Sequence, residues 1–338
     1  MGKPRFLVLN NSSLDMIELH RDWLISQGVE VIADPSFLRL ANDQLEPLLA
    51  GVHAIVGPST ALRVLPRHMG QTPTLQVISL ASSGYEWADI EAATQRGIVV
   101  TNAPVQEGSE AVADHTWGML LAVVRQIPHH HQLLQAGQAQ RGMASLVWGK
   151  TLGIVGLGRI GRAVARRANG FDMQVLAAEI DPDYEYMRAH GIEMVPHDEL
   201  LKRSDFVSLH VRLNPDTEGM IGARELGLMK PTAYLINAAR HKLVDEAALT
   251  EAILHRRIAG AAIDDPPGIK NSPLLELPNV VFTPHIGNRA IEGVDAVCRR
   301  AYQNALAVVR GHWPEFILNP EVYDAAQLRA PHPQEPKE

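Results

Sequence analysis

A glycine-rich turn between an apolar strand and a helix constrains this chain more than any other feature. Residues 152–155 form a short apolar run, which is typical of a buried parallel strand. In a dinucleotide-binding turn, the first glycine permits a tight turn, the second lets the backbone approach a pyrophosphate, and the third lets the helix pack on the strand. The helix expected over 160–169 would then direct its free N–H groups at the phosphates. The sequence therefore predicts a dinucleotide site at Gly156, Gly158, Arg159, Ile160 and Gly161.

A glycine triplet also occurs in turns of unrelated α/β domains, so the next strand decides between the two interpretations. That strand, expected over 174–178, ends in Glu179. A carboxylate at this place can accept hydrogen bonds from both adenosine ribose hydroxyls, and it would repel a 2′-phosphate. Asp181 is close enough to compete for this role, but it lies beyond the strand. We therefore expect NAD rather than NADP as the cofactor, with Glu179 at the ribose.

Composition narrows the class of protein. A chain of 338 residues is long enough for two domains. The net charge of −7 gives no general attraction to nucleic acid or to an anionic membrane, so neither partner is expected. Cys298 is the only cysteine, which excludes internal disulfides and thiolate metal clusters and suits a reducing compartment. Acidic residues interrupt the first 25 positions, and no apolar run reaches membrane-spanning length, so we expect a cytoplasmic enzyme.

Strand and helix signals alternate in both halves of the chain, which predicts two α/β domains with parallel sheets. Strands are expected in the first part at 5–9, 29–33, 53–56, 75–80 and 98–101. After the glycine turn they are expected at 174–178, 206–211, 233–238, 259–263 and 280–283. The clearest helices are expected at 14–27, 109–126, 245–257 and 290–310. The polar, proline-rich residues 325–338 are expected to form a mobile tail.

Three polar groups follow consecutive apolar strands of the second half: Arg240, Asp264 and His285. Ligands of open α/β sheets gather beyond the carboxyl ends of the strands. An arginine can bind a carboxylate through two parallel hydrogen bonds, and a histidine can exchange the proton that accompanies hydride transfer. Each residue alone also has a structural explanation, as a surface ion pair, a turn cap or a satisfied histidine. Together, beside a nucleotide site, they favour a catalytic function. The consecutive His129, His130 and His131 point in different directions, so no metal site is expected.

Several longer motifs resemble the D-2-hydroxyacid dehydrogenase family. The similarity runs over about residues 50 to 310 and implies a cofactor domain inserted into a substrate domain. The resemblance thus places the substrate domain at 1–103 and 288–324 and the NAD-binding Rossmann domain at 104–287. Its specific pieces, besides the glycine turn, are residues 89–97, 101–104, 111–115, 236–240 with 244–246, and 277–280 with 283–287.

The resemblance also implies roles for individual residues. Arg240 is similar to the family's substrate-binding arginine, and His285 to its proton donor and acceptor. Asp264 is similar to the aspartate beside the nicotinamide. The backbone N–H groups of a short loop would hold the substrate carboxylate, and the helix beginning near Ser109 resembles a dimerisation element, which implies a homodimer. The loop is Ser82, Ser83 and Gly84, and the further cofactor-binding residues are Ala238, His285 and Gly287.

One departure from the family pattern concerns the partner of His285. The family places a glutamate that bonds the histidine five positions after the aspartate, and here that position is Ile269. Neighbouring residues of a strand face opposite ways, so Asp265 should face away from the site if Asp264 faces the nicotinamide. Asp265 could replace the glutamate only if the strand has already ended. His241 and Lys242, which follow Arg240, add bulk and charge beside the predicted pocket.

The residues and the resemblance together imply an NAD-dependent oxidoreductase that interconverts a 2-oxo acid and its D-2-hydroxy acid. Its partner would be a small-molecule substrate whose side chain the sequence does not define. The alternative is an NAD-binding regulatory or scaffold protein with this fold and little turnover. The absent glutamate motivates that alternative, whereas Arg240 and His285 argue against it.

Overall fold

The computed structural model describes residues 2–9, 14–34, 37, 41–58, 62–85, 88–265 and 272–334, with the side chains of 14–19 excepted. The chain divides into two compact units. The first unit consists of Met1–Gly108 and Ile291–Glu338, and the second of Ser109–Ala290. No helix among the described residues is both long and apolar enough to cross a membrane.

Short strands and helices alternate along the described residues, as the apolar pattern predicts. The strands are β1 (Arg5–Val8), β2 (Glu30–Ile32), β3 (Ala54–Val56), β4 (Val77–Ser79), β5 (Val99–Thr101), β6 (Thr151–Val155), β7 (Gln174–Ala178), β8 (Ile192–Met194), β9 (Phe206–Leu209), β10 (Tyr234–Asn237), β11 (Gly260–Ile263) and β12 (Val280–Phe282). The helices are α1 (Leu14–Ser26), α2 (Pro66–Gln71), α3 (Ile90–Thr94), α4 (Gln106–Val124), α5 (Ile127–Gln135), α6 (Arg159–Ala168), α7 (Tyr184–Ala189), α8 (His197–Arg203), α9 (Ala223–Leu228), α10 (Glu246–Leu254) and α11 (Ile291–Val309).

The first unit contains a five-stranded parallel sheet in the order β2-β1-β3-β4-β5. Its strands are apolar on both faces because helices cover both sides of a parallel sheet. On one face, Ala301, Tyr302 and Ala305 of α11 belong to the same buried apolar cluster as Phe6 and Val8 of β1, and the Ser79 hydroxyl of β4 donates to the Ala301 carbonyl at 2.8 Å. A segment near the carboxyl end of the chain thus completes the core around the first strand.

The second unit contains a seven-stranded parallel sheet in the order β12-β11-β10-β9-β6-β7-β8. The strand order reverses at β6, which has β7 on one side and β9 on the other. Open sheets of this kind bind ligands beyond the carboxyl ends of the strands at such a reversal. The expected fold class, two parallel-sheet α/β domains with one inserted into the other, is confirmed. Strand β8 was not expected, because the charged Glu193 at its centre interrupts the apolar run by which the other strands were recognised.

The unit boundaries lie a few residues beyond the expected positions 103 and 288. The expectation of a mobile tail is wrong for residues 325–334, which are bonded to the first unit. The Arg329 amide donates to the Gly97 carbonyl at 2.9 Å, and the Gln334 amide donates to the Gly311 carbonyl at 2.8 Å. The Arg329 guanidinium also donates to the Thr72 carbonyl at 2.8 Å. Polar composition misled the prediction because this segment is held by backbone hydrogen bonds. Residues 335–338 lie outside the described part of the chain.

Candidate active site

The turn after β6 has the geometry that each of its glycines predicts. Gly156 has φ +91°, and a Cβ there would lie 2.7 Å from the His210 carbonyl oxygen, so only glycine fits. A Cβ on Gly161 would lie 2.1 Å from the Gly156 carbonyl oxygen, where α6 crosses the turn. A Cβ on Gly158 would meet no protein atom within 4 Å. The backbone at Gly158 is therefore open to a ligand, directly at the first turn of α6.

Glu179 follows β7 and closes one side of this turn. The backbone N–H of Leu157, which lies between the first two glycines, donates to Glu179 Oε2 at 2.6 Å. The Ile180 amide donates to Oε1 at 2.7 Å. The carboxylate is therefore fixed beside the glycine turn, while Asp181 is exposed beyond it.

Arg240 is positioned by a buried asparagine at the end of β10. The Asn237 side chain is 1% exposed. Its Oδ1 accepts a hydrogen bond from the Ala239 amide at 3.0 Å, and its Nδ2 donates to the Arg240 carbonyl at 2.8 Å. These bonds close the chain into a turn directly after the strand. Arg240 and the neighbouring Ala238 are half-buried at the carboxyl edge of the sheet.

Asp264 follows the adjacent strand β11 and holds the segment that carries His285. Its carboxylate accepts hydrogen bonds from Thr283 Oγ1 at 2.5 Å, from the Ile286 amide at 2.9 Å and from the Gly287 amide at 2.7 Å. His115 Nε2 of α4 lies 3.1 Å from the same carboxylate. Burial alone would raise the pKa of Asp264, but the hydrogen bonds from His115, Thr283 and the two amides outweigh it and lower that pKa. Asp264 is only 3% exposed, and its hydrogen bonds fix the loop that carries His285. Its role beside the nicotinamide stays a prediction.

His285 itself has a strained backbone. Its φ is +54°, a region that non-glycine residues enter at a cost of about 1–3 kcal/mol. The bonds from Ile286 and Gly287 to Asp264 hold the chain in this conformation. A Cβ on Gly287 would lie 2.8 Å from Asp264 Oδ2, so this position needs glycine for the close approach. The His285 side chain is 48% exposed.

A carboxylate does bond His285, and it belongs to Asp265. Asp265 Oδ1 lies 3.2 Å from His285 Nδ1. The expectation that Asp265 faces away is wrong, because strand pairing ends at Ile263, and alternation no longer governs the next residues. Burial alone would raise the pKa of Asp265, but hydrogen bonds from His285 and His241 outweigh it and hold that pKa far below its ordinary range. Ile269, the position of the family's glutamate, lies outside the described residues.

The same carboxylate is shared with a second histidine. His241 Nδ1 lies 3.1 Å from Asp265 Oδ2, and the His241 backbone amide donates to the same oxygen at 3.2 Å. The carboxylate is ionised at any ordinary pH and can only accept hydrogen bonds. Each imidazole therefore donates from Nδ1 to this carboxylate, and its Nε2 takes no part in that contact.

The predicted carboxylate loop lies in the first unit, after β4. Ser82 Oγ donates to the Gly84 carbonyl at 2.8 Å, and the Asn102 side chain donates to the Ser83 carbonyl at 2.9 Å. The Ala103 amide donates to the Ser82 carbonyl at 2.9 Å. These bonds shape the loop from within its own unit. The assignment of Ser82, Ser83 and Gly84 to the substrate stays a prediction.

Several residues of the site were not singled out from the sequence. Asn237, His115 and Thr283 lie in motifs that matched the family, yet nothing in their spacing assigned a role to them. His210 follows β9 and places its carbonyl against the glycine turn. Burial lowers the pKa of His210 to about 4, so its ring is neutral at neutral pH. Its position directly after a strand, which it shares with Glu179 and Asp264, was the sequence signal that could have singled out His210.

These features fit a bound dinucleotide. The open backbone at Gly158 and the start of α6 offer N–H groups to a pyrophosphate, and Glu179 offers acceptors to a ribose. His285 follows β12 at the same carboxyl ends of the sheet, with three strands between β12 and β6 in the order given above. Among the described residues, no group of three or more His, Cys, Asp or Glu side chains could hold a metal ion.

Comparison with known proteins agrees with this geometry. The profile of the family described as D-isomer specific 2-hydroxyacid dehydrogenase, NAD binding domain, matches residues 117–287. The chain is similar to glyoxylate reductase of Thermococcus gammatolerans, with 41% identity over 95% of this chain and 97% of that protein. It is also similar to D-3-phosphoglycerate dehydrogenase of Methanocaldococcus jannaschii, with 40% identity over 72% of this chain and 48% of that protein.

A solved structure shares the fold over most of the chain. It is D-lactate dehydrogenase of Aquifex aeolicus in complex with NAD and lactic acid. The TM-score is 0.78 at 25% identity, and the match covers 91% of this chain and 96% of that one.

Proposed function

The chain belongs to the D-isomer specific 2-hydroxyacid dehydrogenase family, and we propose that Arg240, His285 and Asp265 carry its NAD-dependent interconversion of a 2-oxo acid and a 2-hydroxy acid. The observation that carries this proposal is the ion pair between His285 Nδ1 and Asp265, which are 3.2 Å apart. The pair lies at the carboxyl ends of the strands, as does the glycine turn after β6. It supplies a carboxylate partner for His285, although Ile269 occupies the position of the family's glutamate. The alternative of a scaffold with little turnover thereby loses the observation that motivated it.

The proposed chemistry follows from the donors of these side chains. NADH, when bound, supplies the hydride for the carbonyl carbon. His285 donates its Nε2 proton to the carbonyl oxygen, which becomes the hydroxyl, and the ring is left neutral. Asp265 stabilises the protonated ring beforehand and fixes its tautomer. Arg240 binds the substrate carboxylate through its planar fork and keeps the carbonyl in place.

We propose a small 2-oxo acid of the glyoxylate type as the substrate, supported by the relative that is named a glyoxylate reductase and matches nearly the whole chain. The test is NADH consumption with 2-oxo acids of graded size and charge. We expect kcat/KM for glyoxylate to exceed that for acids with large side chains by about tenfold or more, since one or two methylenes change binding by about 1–3 kcal/mol. Tight NADH binding without oxidation by any 2-oxo acid would overturn the proposal.

The role of Arg240 can be tested by a change that keeps its charge. Arg240→Lys replaces a planar fork with a single ammonium group, which cannot form two parallel bonds with a carboxylate. We expect kcat/KM for the oxo acid to fall by about tenfold to a hundredfold, as loss of a charge-assisted bond of about 1.5–3 kcal/mol requires. NADH affinity, measured by fluorescence, should change little. A lysine variant with unaltered KM and kcat would remove Arg240 from the site.

We also propose a homodimer. Its support is a set of large apolar side chains exposed in and after α5, where residues 138–147 form no regular secondary structure. Met143 is 95% exposed and Leu134 65% exposed, more than a monomer ordinarily leaves uncovered in one segment. Light scattering should give twice the monomer mass, and Met143→Glu combined with Leu134→Glu should give a monomer. A monomeric wild type would contradict this assembly.

The lone, buried Cys298 supports a reducing, cytoplasmic location.

A further inference from the structure

Asp265 is placed between two imidazoles, each on its own oxygen. His285 follows β12 and bonds Oδ1, whereas His241 follows β10 and bonds Oδ2. Asp265 itself follows β11, the strand between those two. The three side chains therefore meet at the ends of three adjacent strands, and both imidazoles contact one carboxylate.

We propose that His241 is a positioning residue that is coupled to His285 through Asp265, so that the two imidazoles share the catalytic proton. The inference rests on the proposed function of His285 as proton donor. One carboxylate stabilises the first imidazolium of the pair, and the second imidazolium is opposed by the charge of the first. Sites that interact in this way take up protons in two steps that belong to the pair. Between the two steps, one proton is distributed over both Nε2 atoms.

One further ion pair lies beside His241. Lys242 Nζ lies 3.5 Å from Glu218. His241 also lines a cavity of about 310 Å³ together with Glu218 and with Asp245 and Glu246 at the start of α10. On the other side, the Asp264 carboxylate accepts bonds from its own loop and from His115. The charged group that contacts both imidazoles is Asp265, and Lys242, Glu218, Asp245 and Glu246 line the same cavity as His241. On the His285 side, the charged groups are Asp264, which accepts from the Ile286 and Gly287 amides, and His115 beside it.

The proposal gives a specific shape to the pH profile of reduction. Reduction requires protonated His285, so in the wild type the alkaline limb of kcat/KM should fall in two steps separated by about one pH unit or more. His241→Asn keeps a donor near the position of Nδ1 and removes the titrating ring. The backbone bond from residue 241 to Asp265 is kept as well. The variant should show a single-proton limb, with kcat/KM raised about twofold between the two wild-type steps, because the proton no longer divides.

The matched control is another histidine that bonds a carboxylate. His255 Nε2 lies 3.0 Å from Glu251 on the exposed face of α10, away from the strand ends. His255→Asn should leave the two-step limb unchanged. A wild-type limb that fits one proton, with the same midpoint as His241→Asn, would overturn the proposal.

A second measurement needs no turnover and so separates this inference from the proposed function. Imidazole nitrogen shifts of histidine-labelled protein are followed against pH by NMR, with resonances assigned by their loss in His241→Asn and His285→Asn. The midpoint of each histidine should rise when the other is removed, and by the same amount, since coupling between two sites is reciprocal. Independent midpoints would reject the coupling even if the enzyme is active. Reciprocal shifts without any oxo-acid turnover would support it while rejecting the proposed function.

Discussion

At the scale of single residues, the contact between Asp265 and His285 makes a direct prediction. Asp265→Asn removes the charge that favours the protonated ring but keeps the shape of the side chain. The alkaline limb of kcat/KM for reduction should shift downward by about one pH unit, equivalent to about 1.4 kcal/mol. Oxidation of the hydroxy acid, which uses the neutral ring, should suffer less near neutrality. The measurement is kcat/KM against pH in both directions.

The control for this change is Glu251→Gln, which removes the carboxylate of the exposed His255 pair. It should leave both profiles unchanged. If Asp265→Asn also leaves the limb in place, another group must serve His285, and the contact at 3.2 Å has no catalytic role.

At the scale of elements, we expect two glycines of the turn to have different roles: Gly161 is needed for stability and Gly158 for binding NADH. Gly161→Ala puts a methyl group 2.1 Å from the Gly156 carbonyl, so strand and helix must move apart, at a cost of about 1–3 kcal/mol in the free energy of unfolding. Gly158→Ala meets no protein atom within 4 Å and should change that free energy by less than about 0.5 kcal/mol. It should nevertheless weaken NADH by about tenfold or more, equivalent to about 1.4 kcal/mol. Urea unfolding and NADH fluorescence titration measure the two effects, and loss of stability in Gly158→Ala would contradict this division.

The end of β7 predicts the choice of cofactor. NADH should be preferred over NADPH by about tenfold or more, because Glu179 can accept from ribose hydroxyls and would repel a 2′-phosphate. Glu179→Ala should narrow the preference. Asp181→Ala is the matched control, since Asp181 is exposed beyond the turn, and it should leave the ratio of the two kcat/KM values unchanged. Equal use of NADPH by the wild type would show that Glu179 does not discriminate.

The elements also show how much of the structure could be predicted from the sequence. Both sheets, the glycine turn and the strand ends with Arg240 and His285 follow from local apolar runs and turn residues, which short-range physics governs. The partner of His285 does not, because it depends on whether β11 ends at Ile263 or continues by two residues. Strand ends are set by pairing with β10 and β12, which are distant in sequence. The bonds of residues 325–334 were missed for the same reason, since their partners lie near Gly97 and Gly311.

At the scale of the whole molecule, acid should weaken the fold through the strand-end carboxylates. The lowered pKa of Asp264 means that its stabilisation is present above the ordinary aspartate value of 3.8 and is lost as the pH falls through the lower, folded value. Asp264→Asn should lower the thermal midpoint at pH 7, and the difference from wild type should shrink as the pH approaches 3. Calorimetry from pH 7 to 3 measures this convergence. Parallel curves would show that the carboxylate charge does not contribute.

The division of the chain between its units has a consequence for its synthesis. The second unit is one continuous stretch, Ser109–Ala290, whereas the first needs α11, whose Ala301, Tyr302 and Ala305 lie in the core around β1. A ribosome finishes the whole second unit before it begins that helix. We therefore expect the second unit to fold before the first during translation, although the strands of the first unit are synthesised earlier. The apolar strands of the first sheet stay uncovered until α11 emerges. Chaperone binding to the growing chain should be strongest on the part of the protein that is made first.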